Sequence, residues 1–312
     1  MKSLRIIFMG TPDFAVPALE ALHRSHHAVV AVVTRPDQPK GRGRKLTPPP
    51  VKIAAQTLGY DVAQPGCIHQ PECLSFLEAQ KPDLFVVIAF GRLLKPQHFA
   101  IPHHGIINVH ASLLPRYRGP APIQWAIING DQETGVTTMK MVEELDAGDI
   151  LMQARTPINR DDTSATLHDR LATMGAALIV DTLDKLADND LHPEKQDPTR
   201  VTYAPKLKKK DGRIRWDQST AAIDAFVRGM TPWPGAFTFL GDMRLKVFNV
   251  QPALLPQPVP PGTVIEGFSN EIRVATGDGA LTIQEIQSAS GRRMATEEFL
   301  KGTNILPGTQ LG

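Results

Sequence analysis

Asn108 and His110 lie two residues apart where an apolar run, GIINV at 105–109, gives way to polar sequence. On a strand that continues this far, both side chains project from one face. A carboxamide donor beside an imidazole can stabilise an oxyanion and move a proton. The same residue types also serve merely to satisfy backbone groups at a strand end. A carboxylate partner is available in VEELDAGDIL at 142–151, where Asp146 and Asp149 flank Ala147-Gly148. A loop there could bring a carboxylate against His110 and orient its ring; spacing alone leaves Asp146 and Asp149 open.

Other chemistries find less support. The first glycine turn, GTPDF at 10–14, lacks the G-x-G-x-x-G spacing of a dinucleotide site, and no G-x-x-x-x-G-K-[ST] phosphate loop occurs. His103, His104 and His110 stand without an H-E-x-x-H pattern, and Cys67 and Cys73 are too few for a four-thiolate centre, so no metal site is expected. Two cysteines also exclude a disulfide framework and fit a reducing, cytoplasmic compartment.

The elements around these residues alternate. Residues 4–8 (LRIIF), 28–33 (AVVAVV), 84–89 (LFVVIA) and 105–109 read as buried strands, with helices expected at 12–23, 50–59 and 71–80. Strand following helix in this way is the pattern of a doubly wound α/β domain, in which ligands bind outside the carboxyl ends of the strands. Later strands are expected at 135–142 and 149–156. A long helix is expected over 163–187, with Leu167, Leu171, Met174 and Leu178 on one face.

The texture changes near residue 190. The stretch 191–213 has prolines flanking charges and no period, so it reads as a linker. Beyond a short helix at 219–229 come β segments at 235–240, 244–250, 262–268, 271–276 and 280–287. Short strands separated by frequent turns suggest a small OB-like barrel, a fold that often binds oligonucleotides. The 312 residues therefore divide into a catalytic α/β domain over 1–189, a linker over 190–206 and a β domain over 207–312.

Proline, 27 of 312 residues, excludes a simple helical bundle and implies many loops, and no run approaches the length of a membrane span. The net charge of +2 argues for no partner, but its distribution does. Residues 35–45 set Arg35, Lys40, Arg42, Arg44 and Lys45 against Asp37 alone, in a glycine-rich segment expected to be a mobile loop. Residues 200–215 set Arg200, Lys206, Lys208, Lys209, Lys210, Arg213 and Arg215 against Asp211 alone. Two basic clusters in a near-neutral chain are the footprint expected of a polyanion.

Asn108-x-His110-x-Ser112-Leu113-Leu114-Pro115, followed by Arg118-Gly119 and LDAGDIL at 145–151, resembles the 10-formyltetrahydrofolate-dependent formyltransferases. The resemblance extends along the chain through MGTPDFAVPAL at 9–19, KGRGRKL at 40–46, SLLPRYRGPAPIQ at 112–124, TYAPKL at 202–207 and WPGA at 233–236, which match the branch acting on aminoacylated tRNA. It implies a Rossmann-like catalytic domain, a basic linker and an OB-like C-terminal domain. It implies Asn108, His110 and Asp146 as the catalytic set, choosing Asp146 over Asp149, and Ser112, Leu113, Leu114 and Pro115 as the folate-site loop. The reaction implied is direct transfer of formyl from 10-formyltetrahydrofolate to the α-amine of methionine on initiator tRNA, by a monomer, with no metal and no membrane. Arg42 and Lys45 would then meet the acceptor end, and Lys206, Lys208, Lys209 and Lys210 would grip phosphates. A small-amine acceptor, such as glycinamide ribonucleotide or a nucleotide amino sugar, is the alternative; it leaves both basic clusters and the extra β domain without a use.

Overall fold

The computed structural model describes residues 2–41, 43–265, 270–289 and 291–312. Two compact units emerge. One comprises residues 1–119, 134–156 and 168–203; the other comprises 120–133, 157–167 and 204–312.

The first part of the chain runs β1 (Arg5–Gly10), α1 (Val16–Arg24), β2 (Ala28–Val33), β3 (Gln38–Lys40), β4 (Lys45–Thr47), α2 (Pro50–Thr57), β5 (Val62–Ala63), α3 (Pro71–Ala79), β6 (Leu84–Ile88), α4 (Pro96–Phe99), β7 (Ile106–His110), α5 (Pro122–Ile128), β8 (Glu133–Lys140), β9 (Ile150–Pro157) and α6 (Ser164–Ala187). A seven-stranded sheet takes the order β5-β2-β1-β6-β7-β8-β9. The first five are parallel and β8 is antiparallel to β7. Leaving out the two short hairpin strands β3 and β4, this is the doubly wound arrangement, with order reversing at β1. Its central strands are largely apolar because both faces are covered: all five residues of β6 are buried, and Ile7, Met9, Val33, Phe85, Val87 and Ile106 share a core with Ile68, Leu77 and Phe90.

The prolines find a use beyond loops. Each of α1 to α5 carries one in its first two positions, where the missing N–H would be unpaired anyway and φ is already helical. The expected mobile loop at 35–45 contains a hairpin instead. β3 and β4 pair antiparallel around a turn with Gly41 and Arg44 at positive φ, closed by Arg44 N–H donating to the Gly41 carbonyl at 3.2 Å. Three-residue strands with no apolar alternation gave no period to detect.

The second unit is built on α7 (Thr220–Met230), β10 (Ala236–Leu240), β11 (Met243–Ala253), β12 (Ile272–Ala275), β13 (Ala280–Ser288), β14 (Met294–Ala295) and α8 (Thr296–Leu300). The strands form a curled antiparallel sheet in the order β10-β11-β13-β12, with β14 on the edge of β13. Of the strand expected at 262–268, residues 262–265 pair through bridges at Thr263 and Val264 and backbone hydrogen bonds to 273–275 and 308–311, and residues 266–268 lie outside the described ones. Ahead of the sheet, Gly212, Ile214 and Trp216 alternate inward while Arg213 and Arg215 face out, and Ile214 N–H bonds the Phe237 carbonyl at 2.8 Å. Gly212 is needed there: a Cβ would fall 2.1 Å from the Gly235 carbonyl oxygen. The core of this unit joins Ile214, Trp216, Ile223, Val227, Leu245, Val247, Leu281 and Ile283.

Candidate active site

β7 carries Asn108 and His110 on one face at the carboxyl edge of the sheet, next to β6. His110 is buried, and its Nε2 lies 2.9 Å from the Tyr117 carbonyl oxygen. A carbonyl only accepts, so Nε2 carries a proton and Nδ1 is the nitrogen left to exchange one. Nδ1 faces Asp146 Oδ2 at 3.7 Å, with the two side chains only 8% and 12% exposed. That is ion-pair range, longer than a hydrogen bond. The Asn108 carboxamide, half-buried, bonds none of the described residues.

The loop that brings Asp146 here is heavily constrained. Asp146 itself sits at φ +50°, and Gly119 N–H donates to its Oδ2 at 2.8 Å. Two residues on, Gly148 lies against β8 so closely that a Cβ would fall 1.6 Å from the Lys140 carbonyl oxygen. Gln196 Nε2 donates to the carbonyls of Asp146 and Gly148 at 2.7 and 2.8 Å. Gln196 Oε1 in turn accepts from Arg118 Nε at 3.0 Å, and Arg118 Nη1 reaches Glu144 at 3.1 Å. Asp149 contributes its backbone carbonyl to Lys140 N–H, on β8, rather than its carboxylate to His110. Gln196 was missed from sequence because it stands in an aperiodic, charged stretch where one glutamine carries no signal.

The Ser112–Pro115 loop is a locked scaffold. Ser112 Oγ donates to the Arg116 carbonyl at 2.6 Å, and Thr137 Oγ1 donates to the Ser112 carbonyl at 2.6 Å. Thr137 Oγ1 also accepts from Leu114 N–H, while Gln153 Nε2 donates to the Leu114 carbonyl at 2.9 Å. Leu114 and Pro115 are buried; Leu113, half-buried, lies over Gly135, where a Cβ would come within 2.6 Å of its Cδ2. With its polar groups committed internally, the loop offers shape, and Asn108 beside it offers the uncommitted donor.

The basic residues fall elsewhere. Lys45 is exposed on β4, and Arg42 lies outside the described residues. Lys206, Lys208, Lys209 and Lys210 are all exposed in the second unit, where a single 3-10 turn over Lys209–Gly212 is capped by Lys208 N–H donating to Asp211 at 2.7 Å. Among the described residues, one group has metal-ligand spacing: His26, His27 and Asp184. There His27 Nδ1 accepts from Leu4 N–H at 3.3 Å, which leaves the ring proton on Nε2, 3.0 Å from Asp184. That tautomer makes the pair a hydrogen bond tying the residue before β2 to α6, with no lone pair on Nε2 for a cation.

Residues 4–183 match the formyl transferase family profile and residues 206–304 its C-terminal domain. The chain belongs to the formyl transferase family. It is 50% identical over 100% of its length to a methionyl-tRNA formyltransferase of Citrifermentans bemidjiense, covering 98% of that protein. It is 48% identical to the same-named protein of Geobacter sulfurreducens, again over 100% of this chain and 98% of the other. Among solved structures, the sugar 3N-formyl transferase WlaRD, crystallised with dTDP and 5-N-formyl-THF, matches with a TM-score of 0.68 at 18% identity, over 94% of this chain and 100% of that one. HypX from Aquifex aeolicus with tetrahydrofolic acid matches with a TM-score of 0.65 at 20% identity, over 97% of this chain and 48% of that one. At 18% and 20% identity, these two likenesses speak for the fold alone.

Proposed function

We propose that this formyltransferase moves a formyl group from 10-formyltetrahydrofolate to the α-amine of methionine on initiator tRNA. The observation that carries the site assignment is the uncommitted Asn108 carboxamide beside the His110–Asp146 pair at the carboxyl edge of the sheet. The acceptor follows from relatives matched end to end at 46–50% identity, all named methionyl-tRNA formyltransferase. The donor supplies an activated formyl group on an aryl-amine nitrogen.

The residues divide the remaining work. An α-amine has an ordinary pKa of about 7.7–8.0, lowered further by a neighbouring ester, so it attacks neutral and needs no strong base. Asn108 donates to the oxygen on which negative charge develops; loss of one such donor typically costs about 10²–10³ in rate. His110 Nδ1 takes the proton released by the attacking amine and returns one to the departing nitrogen. Asp146, held 3.7 Å away, stabilises the imidazolium formed in between, while the Tyr117 carbonyl fixes the ring from its other side. Ser112, Leu113, Leu114 and Pro115 shape the wall against which the donor rests. No step requires a metal. Arg42 and Lys45 serve the acceptor end, and Lys206, Lys208, Lys209 and Lys210 serve the phosphates. On this reading the enzyme acts as a monomer in the cytoplasm, where its tRNA acceptor is; no described helix is long and apolar enough to cross a membrane.

A transfer assay with a radiolabelled formyl donor, comparing Met-tRNA, glycinamide ribonucleotide and a nucleotide amino sugar, tests this reading. Label is expected on Met-tRNA alone; transfer to either small amine in its place would reassign the acceptor.

A further inference from the structure

Leu114 is held through both of its backbone polar groups by side chains of the antiparallel strands. Its N–H donates to Thr137 Oγ1 at 3.2 Å, and its carbonyl accepts from Gln153 Nε2 at 2.9 Å. A carbonyl only accepts, so the NH2 end of Gln153 faces the loop, and its second N–H reaches Thr137 Oγ1 at 3.0 Å. Thr137 Oγ1 gives its own proton to the Ser112 carbonyl at 2.6 Å. The hydroxyl is then full, with one proton donated and both lone pairs taken. Thr137 is completely buried and lies directly across from His110 in the register of β7 and β8. Gln153 stands one strand further out, half-buried on β9 at the edge of the sheet.

The Gln153 side chain has no other polar use. Its Oε1 bonds none of the described residues, and its N–H groups touch none of the three proposed catalytic side chains. Those are held by other means: Asn108 and His110 by β7, the His110 ring by the Tyr117 carbonyl, and Asp146 by Gly119 and Gln196. What Gln153 fixes is the Leu114 carbonyl, in a residue that is itself buried. A buried carbonyl stripped of its donor is drawn toward water, and the loop around it must shift. The consequence falls on the wall of the site and not on the groups that move protons.

We propose that Gln153 is a positioning residue for the formyl donor. From the edge strand it sets the Ser112–Pro115 wall, through Leu114 and Thr137, and so controls donor affinity without taking part in transfer. That role rests on the reading of Ser112–Pro115 as the surface against which the donor lies.

Steady-state kinetics test the role. Gln153→Leu removes both N–H donors, and Gln153→Glu also sets an acceptor against the Leu114 carbonyl. KM for 10-formyltetrahydrofolate should rise about tenfold in the first and further in the second. At saturating donor, kcat and KM for Met-tRNA should stay within about twofold of wild type. Thr137→Val should raise the donor KM as well, and Thr137→Ser, which keeps the hydroxyl, should recover most of that loss. A lower melting temperature at unchanged donor KM in both Gln153 variants would overturn the proposal, leaving a structural tie alone. A fall in kcat at wild-type donor KM would overturn it too, by placing Gln153 on the transfer step.

A second measurement involves no transfer: amide NMR of the full-length enzyme titrated with tetrahydrofolate. Shifts at Leu113 and Leu114 are expected in wild type, with affinity about tenfold weaker in Gln153→Leu. Those shifts with equal affinity in the two proteins would overturn the positioning role and leave the wall standing. No shift at either leucine would overturn the wall and the role together. A wild type that formylates no Met-tRNA would defeat the proposed acceptor while leaving the tetrahydrofolate result intact.

Discussion

Gln196 holds the backbone of Asp146: its Nε2 donates to the Asp146 carbonyl at 2.7 Å and to the Gly148 carbonyl at 2.8 Å. One side chain thus clamps both ends of a loop whose carboxylate must stay beside His110, and Arg118 fixes the clamp through the amide oxygen. Gln196→Ala removes both donors, each worth about 1 kcal/mol. We expect kcat to fall about tenfold or more, KM for both substrates to change little, and Gln196→Glu to fail likewise because it supplies no N–H. A parallel rise in both KM values at unchanged kcat would mean that the clamp shapes binding instead.

The three proposed catalytic side chains should behave differently from their neighbour. Asn108→Ala, His110→Ala and Asp146→Ala are each expected to lower kcat by at least about 10²-fold with tRNA affinity preserved. Asp149→Ala should be nearly silent, since the residue's structural contribution is its backbone carbonyl. Single-turnover rates alongside tRNA binding for all four variants provide the check, and greater damage from Asp149→Ala than from Asp146→Ala would reverse the carboxylate assignment.

Gly148→Ala probes the same loop from below. Its Cβ would fall 1.6 Å from the Lys140 carbonyl oxygen, so the loop must lift off β8. Loss of transfer comparable to Asp146→Ala is expected, with circular dichroism and melting cooperativity retained. Full activity would show that the loop tolerates displacement.

His27 should make stability depend on pH. Burial, followed by the neighbouring His26 charge, lowers its pKa below the ordinary 6.5, although Asp184 pulls the other way. The Leu4 N–H pointing at Nδ1 reinforces the neutral form. The unfolded chain therefore binds the proton at a higher pH than the folded one, and linkage makes stability rise with pH between the folded value and about 6.5. Stability should be complete above that range and fall as the solution is acidified through it. Urea midpoints from pH 5 to 7.5 should show a shallower dependence in His27→Gln than in wild type; identical slopes would remove His27 from the explanation.

The exposed lysines of the second unit should contribute charge and little specificity. Replacing Lys208, Lys209 and Lys210 with alanine is expected to weaken binding of every tRNA. At ~0.7–0.9 per phosphate contact, the slope of log K against log salt should become shallower by roughly two to three. An unchanged slope would place these residues off the tRNA.

The sequence by itself determined the parts that rest on local periodicity. The runs at 6–9, 28–33, 84–88 and 106–107 are apolar because both faces of a parallel sheet are covered, and that composition is visible without coordinates. Asn108 and His110 were legible for the same reason: the strand sets their two-residue spacing. The tertiary structure decided what depends on atoms far apart in the chain. The hairpin at 38–47 has no apolar pattern, and the partners of the segment expected as a strand at 262–268 lie far along the chain: its described residues 262–265 exchange backbone hydrogen bonds with 273–275 and 308–311. The choice of Asp146 as the carboxylate facing His110 came in sequence only through family resemblance. In the fold it follows from Gly148 pressed on Lys140, Gly119 on the carboxylate and Gln196 on the backbone, contacts spanning up to fifty positions. Such contacts leave no periodic trace, because a side chain that hydrogen-bonds across the fold answers to geometry and not to its neighbours in sequence.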